Sequence, residues 1–336
     1  MHTAEQLGER KIIETILRHF TKAPNMGVPF GDDVSAIRHE DGDLAILKTD
    51  MLVGKTDVPP QMNLQQAARK AVVMNISDFA AKGVKPRGLV VALGIQPDRT
   101  EKEIQQIAEG LNAGAREYDT YVLGGDTTET DDLIISVALY GSANIKKLML
   151  RSGARPGDIV ATTGCFGLTA SGLRMLTEEA TAPPEAGGVL ADAVLMPRAR
   201  LREGLSLART GVVRGSIDSS DGLAWSLHEI SRASNVGFVI DEPPIAREAY
   251  QFAEINRLDP VELALYGGEE YELVVTVEPQ GWRKAQEAVK QEGGCLIPIG
   301  ETTAKKGIFL EQKGRRVKVE ARGYEHFRHE RRKKDG

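Results

Sequence analysis

Acidic residues recur along this chain where a predicted strand or helix meets a turn rich in glycine or hydroxyl side chains. Gly31-Asp32-Asp33 precedes a strand, Thr49-Asp50 lies in or at the end of one, and Ser77-Asp78 falls late on a long helix. Gly124-Gly125-Asp126-Thr127-Thr128 follows a strand, Asp218-Ser219-Ser220-Asp221-Gly222 opens a helix, and Gly267-Gly268-Glu269-Glu270 precedes a strand. Each site alone has an ordinary explanation, because aspartate caps helices and Asp-Gly makes turns. The conjunction is more constraining. Six acidic sites, five of them beside Gly-Gly or Ser/Thr, suit hard cations bound through oxygen.

Such a set has a physical task if one phosphate attacks another. Two groups of charge about −2 at ~5 Å repel by roughly 3 kcal/mol in water and roughly 13 kcal/mol at an effective dielectric of about 20. Carboxylates alone would deepen that repulsion, whereas carboxylates holding several Mg²⁺ ions reverse it and clamp both partners. Glycines beside the ligands let backbone N–H groups approach phosphate oxygens. The chain has no Gly-x-x-x-x-Gly-Lys-Ser/Thr loop and no protein-kinase signature, so an ATP site here is of another design.

Hydrophobic periodicity places these acids on mixed elements. A helix is expected over 5–20, with Ile12, Ile13, Ile16, Leu17 and Phe20 on one side. A strand over 44–53 precedes a long helix over 64–82, which carries Ala68, Ala71, Val72, Asn75 and Phe79 along one side and ends at Gly83. A buried strand follows at 88–95, and Thr100 with Glu103 forms a capping-box pattern. Strands at 121–123 and 133–140 flank a loop at 124–132. Farther on, strands are expected at 158–163, 237–240 and 271–277, and helices at 168–178, 198–209, 223–234 and 282–291. The Ala-, Pro- and Gly-rich stretch 180–197 reads as a loop excursion. A polar stretch at 142–147 marks a boundary, giving two domains of mixed α+β and α/β character at 1–145 and 146–327. A basic tail at 328–336 reads as solvated and frayed.

Composition excludes several classes. The 336 residues suffice for two sizeable cores, and 41% apolar with 27% charged residues is ordinary for a globular protein. Aromatics at 5% and a net charge of −5 without a basic stripe argue against nucleic acid as a partner. Cys165 and Cys295 are far apart in sequence and form neither a metal-ligand pair nor a disulfide framework, so both are expected to be reduced. Residues 1–10 are polar, and no apolar run approaches the ~20 residues of a membrane helix, so no membrane association and a cytoplasmic location are expected.

Read in order, the motifs carry a resemblance. To those quoted above are added Lys48 before Thr49-Asp50, Asn75-Ile76 before Ser77-Asp78 and Phe79 to Gly83 after it, Arg151 through Asp158, Leu223 after Gly222, Tyr271-Glu272-Leu273, and Gly323-Tyr324-Glu325-His326-Phe327. The whole resembles the thiamine-monophosphate kinase family, within the aminoimidazole ribonucleotide synthetase superfamily. The resemblance implies a two-domain PurM-like fold: an N-terminal domain that dimerises through its sheets, and a C-terminal α/β sandwich. It implies ATP and thiamine phosphate as small-molecule substrates, several Mg²⁺ ions, a homodimer, and direct in-line phosphoryl transfer to give thiamine diphosphate. Implied metal ligands are Asp33, Thr49, Asp50, Asp78, Asp126, Asp218 and Asp221. Implied ATP contacts are Gly125, Asp126, Arg151 and Ser220, and Arg151 suits a phosphate as a planar donor fork. Implied thiamine phosphate contacts are Asp57, Glu269 and Tyr324.

No general base is implied, because the acceptor is an ionised phosphate oxygen and positioning with charge neutralisation can supply the catalysis. Among the six histidines, His228 within a helix and His326 near the end of the match read as structural. Two positions depart from the bacterial pattern. Asp57, in Thr56-Asp57-Val58-Pro59-Pro60, stands where bacterial members carry a substrate-touching histidine, and Lys48 stands where they place Ser or Thr. The Thr-Asp-Val-Pro-Pro form is similar to archaeal members. Another ATP-dependent member of the superfamily, acting on a different acceptor, is the alternative. Selenophosphate synthetase would want a reactive residue near the N-terminus, whereas the first cysteine here is Cys165. The hydrogenase-maturation dehydratase would want a C-terminal cysteine, whereas this sequence ends Lys333-Lys334-Asp335-Gly336. A non-catalytic magnesium- or nucleotide-binding module would not need the full acidic set.

Overall fold

A computed structural model describes residues 2–39, 42–178, 180–312 and 314–327. The first half begins with helices α1 (Ala4–Leu7) and α2 (Glu9–Leu17) and strands β1 (Met26–Val28), β2 (Ser35–Arg38) and β3 (Leu44–Val53). The short helix α3 (Gly54–Asp57), the long helix α4 (Leu64–Lys82), strand β4 (Pro86–Ile95), helix α5 (Glu101–Glu117) and strands β5 (Val122–Glu129) and β6 (Ile134–Ala143) follow. The six strands form one sheet in the order β1-β2-β3-β6-β4-β5, antiparallel except for the parallel β4–β5 pair.

Helix α4 is fixed at both ends by local chemistry. Asn63 and Gln66 form a reciprocal capping box, and Gly83 adopts the left-handed conformation (φ 66°) that ends the helix. Between these caps nearly every residue from Ala67 to Lys82 is buried, because α4 lies between the first sheet and the second half of the chain. Helix α5 starts at the predicted Thr100–Glu103 box and crosses α4 at Gly110, where a Cβ would collide with the Gln65 carbonyl.

The second half contains β7 (Ile159–Thr162), α6 (Leu168–Thr177), α7 (Gly187–Leu195), α8 (Leu201–Thr210), β8 (Val213–Asp218), α9 (Leu223–Ser234) and β9 (Gly237–Ile240). Then come α10 (Arg247–Asn256), α11 (Pro260–Tyr266), β10 (Leu273–Val277), α12 (Trp282–Gln291), β11 (Ile297–Thr303), β12 (Ile308–Gln312) and β13 (Arg315–Lys318). Its sheet runs β13-β12-β9-β11-β7-β10-β8, antiparallel except for β9–β12. The edge strand β8 and helix α8 pack on α4, where Ser216 Oγ donates to the Ala81 carbonyl at 2.7 Å.

Several expectations need correction. The single helix predicted over 5–20 breaks at Gly8, whose φ of 73° only glycine adopts freely, and no residue of α2 is buried. Residues 124–129 are strand rather than loop. Their glycines permit close strand approach, since a Cβ on Gly125 would collide with the Val91 carbonyl. Strand β4 is not buried throughout; Val90 is 47% exposed while Leu89 and Val91 are buried. The stretch 180–197 contains helix α7, because Ala186 and Leu190 reach a distant cluster with Phe252, Ala253 and Leu263. Helices α10 and α11 lie where the sequence reading placed no element. The predicted basic tail at 328–336 lies outside the described residues.

Candidate active site

The acids converge on the seam between the two sheets. Asp33 comes from the turn before β2, Asp78 from the last turns of α4, and Asp218 from the end of β8. Their carboxylate oxygens lie within 4.8 Å of one another and all three side chains are buried. Ser77 Oγ donates to Asp218 Oδ2 at 2.7 Å, which joins α4 to the second sheet.

Basic side chains frame this cluster. The fully buried Lys82 ammonium lies 2.7 Å from Asp32 Oδ1 and 2.8 Å from Asp33 Oδ2, and donates to the Ser216 carbonyl at 2.7 Å. Arg151 donates through Nε to Asp33 Oδ1 at 2.7 Å, grips the same carboxylate through Nη2, and reaches Glu229 at 2.8 Å. Its backbone N–H donates to Asp32 at 3.0 Å. Lys48 on β3 bridges Asp50 and Asp78.

Electrostatics distinguish the acids. Burial raises the Asp33 carboxyl, but Arg151 and Lys82 outweigh it and leave the group below its ordinary value. Asp78 is pushed well up by burial and by Asp218, Asp50 and Asp33, against the opposing pull of Lys48. Burial, reinforced by Asp33, lifts Asp218 to about 6. Burial, with Glu9 nearby, lifts Asp221 to about 7. At Asp78, Asp218 and Asp221 the anionic form is costly until a further cation shares it. Oxygen-only donors suit a hard divalent ion such as Mg²⁺, so the residues fit the implied metal.

The other predicted residues are distributed. Asp50 lies on the α4-facing side of β3, and its N–H donates to Asn75 Oδ1 at 2.9 Å. Thr49, one residue earlier, projects to the opposite face, where its hydroxyl meets Ser136 Oγ at 3.4 Å. Gly125 and Asp126 lie on the exposed edge strand β5, three strands from β3, or roughly 14 Å away. Asp126 pairs with Ala92 and so shares the open face with Thr49. Asp221 stands beside the three-carboxylate cluster rather than in it, and its carbonyl accepts the Tyr324 N–H at 3.0 Å. Ser220 is exposed, and its carbonyl accepts the Glu269 N–H at 2.6 Å.

Glu269 and Tyr271 adopt left-handed backbone (φ 64° and 53°), which delays β10 to Leu273, two residues later than predicted. Glu269 pairs at 2.6 Å with Lys70, which also donates to the Asp57 carbonyl at 2.9 Å. Asp57 turns its carboxylate back to accept the Val53 N–H at 2.7 Å. Tyr324 meets His326 edge-on, and His228 lies 3.1 Å from the Val319 carbonyl within the second half.

The family model described as AIR synthase related protein, N-terminal domain, matches residues 31–143, and the corresponding C-terminal domain model matches 155–313. Thiamine-monophosphate kinase of Nitrosopumilus maritimus is 33% identical over 323 residues, covering 96% of this chain and 99% of that protein. The chain belongs to the thiamine-monophosphate kinase family. The Pyrococcus horikoshii member is 33% identical over 325 residues, covering 96% of this chain and 97% of its own. The solved structure of AaThiL complexed with AMPPCP and TMP superposes with a TM-score of 0.84 at 26% identity, covering 97% of this chain and 99% of that one. The architecture is thus the two-domain PurM-like fold, mixed α/β with two sheets.

Sequence reasoning missed the basic half of this family member's seam: Lys82, Lys70 and the bridging role of Lys48, together with Ser77 and Glu229. One signal was present. Lys70 and Lys82 interrupt the small and apolar run of α4 at positions that its neighbours bury, and a buried lysine needs a partner. Among the described residues no helix is long and apolar enough to cross a membrane.

Proposed function

We propose that this chain transfers the terminal phosphoryl group of ATP to thiamine monophosphate, giving ADP and thiamine diphosphate. The observation that carries the reading is the coincidence of end-to-end similarity to thiamine-monophosphate kinases with a buried Asp33–Asp78–Asp218 cluster. Asp33, Thr49, Asp50, Asp78, Asp126, Asp218 and Asp221 would hold Mg²⁺, through side-chain or backbone oxygens. When bound, the ions neutralise the two reacting phosphates and hold them in line.

The chain's own residues do the rest. Gly125, Asp126, Arg151 and Ser220 contact ATP. Arg151 already grips Asp33 and Glu229, so its fork is oriented before any phosphate arrives. Glu269, held by Lys70, faces the cationic thiazolium, and Tyr324 offers an aromatic wall. Asp57 engages the Val53 N–H, which lessens its repulsion of an incoming phosphate.

We further propose a homodimer, placed in the cytoplasm. The open face of the first sheet exposes Ile37, Leu47, Met51, Val90 and Tyr140, an apolar surface with the character of an interface. Oxygens sharing one Mg²⁺ lie within about 4 Å of each other. Asp126 is too far from Asp50 for that within one chain, and through the open face that it shares with Thr49 it would instead complete the site of a second copy. Incubation with MgATP and thiamine monophosphate, followed by separation of thiamine compounds, tests the activity. Absence of thiamine diphosphate would sink the reading.

A further inference from the structure

We infer that the Lys48 ammonium takes the place of one divalent cation between Asp50 and Asp78. The inference rests on the proposed metal site and concerns which of its positions are open to metal.

Lys48 Nζ lies 3.0 Å from Asp50 Oδ1 and 3.0 Å from Asp78 Oδ2. The two carboxylates come from different elements, β3 and α4, so the ammonium sits where a bridging ion would sit. The position is built rather than incidental. Strand alternation puts Lys48 and Asp50 on the same, α4-facing side of β3. The Asp50 N–H is held by Asn75 Oδ1 at 2.9 Å, one helical turn before Asp78, which fixes the register of strand against helix. The Lys48 side chain is only 19% exposed, so leaving this position would strand two carboxylates without a cation.

The neighbouring acids are served differently. Asp32 and Asp33 receive Lys82 and Arg151, whereas Asp218 has a hydroxyl from Ser77 and no ion pair among the described residues. An opening for metal therefore remains beside Asp218, and the bridging position between Asp50 and Asp78 is taken by the chain itself, which leaves each of those two acids its second carboxylate oxygen for a metal ion. A lysine is a compact point charge that can also donate to a phosphate oxygen. Unlike a metal ion, it cannot dissociate when the free metal concentration falls.

Mn²⁺ binding in the presence of AMPPCP tests this, with bound and free ion separated by electron paramagnetic resonance. Lys48→Ser offers an oxygen donor without charge, and Lys48→Gln keeps most of the volume without charge. Each should bind one more Mn²⁺ per chain than the unaltered protein, while Lys48→Arg should bind the unaltered number. Mg²⁺ should also raise the melting temperature of Lys48→Ser and Lys48→Gln by more than it raises that of the unaltered chain. Equal, non-zero stoichiometries and equal thermal shifts across the four proteins would overturn the assignment of Lys48 and leave the metal site standing. No Mn²⁺ bound by any of them would overturn the metal site, and this inference with it.

Discussion

Carboxylates stand in two places in this molecule, the seam under α4 and the open face of the first sheet, and the two places are built differently. In the seam, Asp33, Asp78 and Asp218 are buried, ringed by Lys48, Lys82 and Arg151, and tied to α4 through Ser77. On the open face, Asp126 lies on an exposed edge strand among unpartnered apolar side chains. The first arrangement is complete within one chain. The second has a carboxylate and no enclosure, which is the pattern expected if Asp126 belongs to half a site.

The largest effects should come from separating the two places by mutation. Asp78→Asn should cut turnover about a thousandfold or more, since it removes a proposed ligand of the Mg²⁺ that would neutralise the reacting phosphates. In metal-free buffer its melting temperature should hold or rise, because burial of the Asp78 charge and its repulsion by Asp218, Asp50 and Asp33 outweigh its pairing with Lys48. Asp126→Asn should also lose turnover by orders of magnitude while keeping its fold. Mixing the two inactive variants then decides whether the places meet across two copies. If they do, random reassortment gives heterodimers with one intact site, and roughly a quarter of normal activity should return. No recovery, in a mixture shown to exchange subunits, would put both residues in the same chain's site.

Lys82→Met probes the seam's self-sufficiency. It leaves Asp32 and Asp33 buried without their cation and should cost about 3–5 kcal/mol in urea unfolding. A loss below about 1 kcal/mol would mean that Arg151 alone compensates. On the other side, Leu47→Asp places a charge on the exposed apolar face and should yield monomers in sedimentation with unchanged far-ultraviolet circular dichroism. An undisturbed dimer would move the interface elsewhere.

The smallest effect concerns Glu270, beside the seam, which burial lifts to about 8 although it accepts the Gly167 and Thr169 N–H groups. Between its ordinary value and about 8 the folded chain keeps a proton that the unfolded chain has released. Stability should therefore fall as pH rises through that window. Glu270→Gln should flatten that part of the profile, as read from urea midpoints at several pH values, and an unchanged slope would assign it to other groups.

The contrast also explains what was legible in the sequence. Helix α4, its Asn63 and Gly83 caps, strand β3 and the Thr100 box are written in residues a few positions apart, so local rules find them. The acids of the seam were legible as candidates because glycines or hydroxyl side chains stand beside them. Their partners were not, since Ser77 and Asp218 are 141 residues apart and Lys82 meets Asp33 only once β2 is in place. Helix α7 escaped for the same reason: Ala186 and Leu190 are held by Phe252 and Leu263, far along the chain. Strand β5 escaped because glycine lowers strand propensity while serving close strand packing, a need set by β4 rather than by β5.

Helix α4 joins the halves in a way that limits how the molecule can move. Spreading the two sheets about the seam would pull Ser77 from Asp218 and expose Lys82 together with the acids it holds. A clamshell cycle pivoting there is therefore unfavourable, and breathing must take place at the periphery. The hinge-free route lies where α2 touches residues 325–326 and α9, through Glu9 to the His326 N–H, Arg10 to Glu325, and the Arg10 guanidinium over Trp225. Those contacts tie α2 to α9 and to residues 325–326, and their release would loosen the segment that carries Tyr324 without disturbing a single carboxylate of the seam.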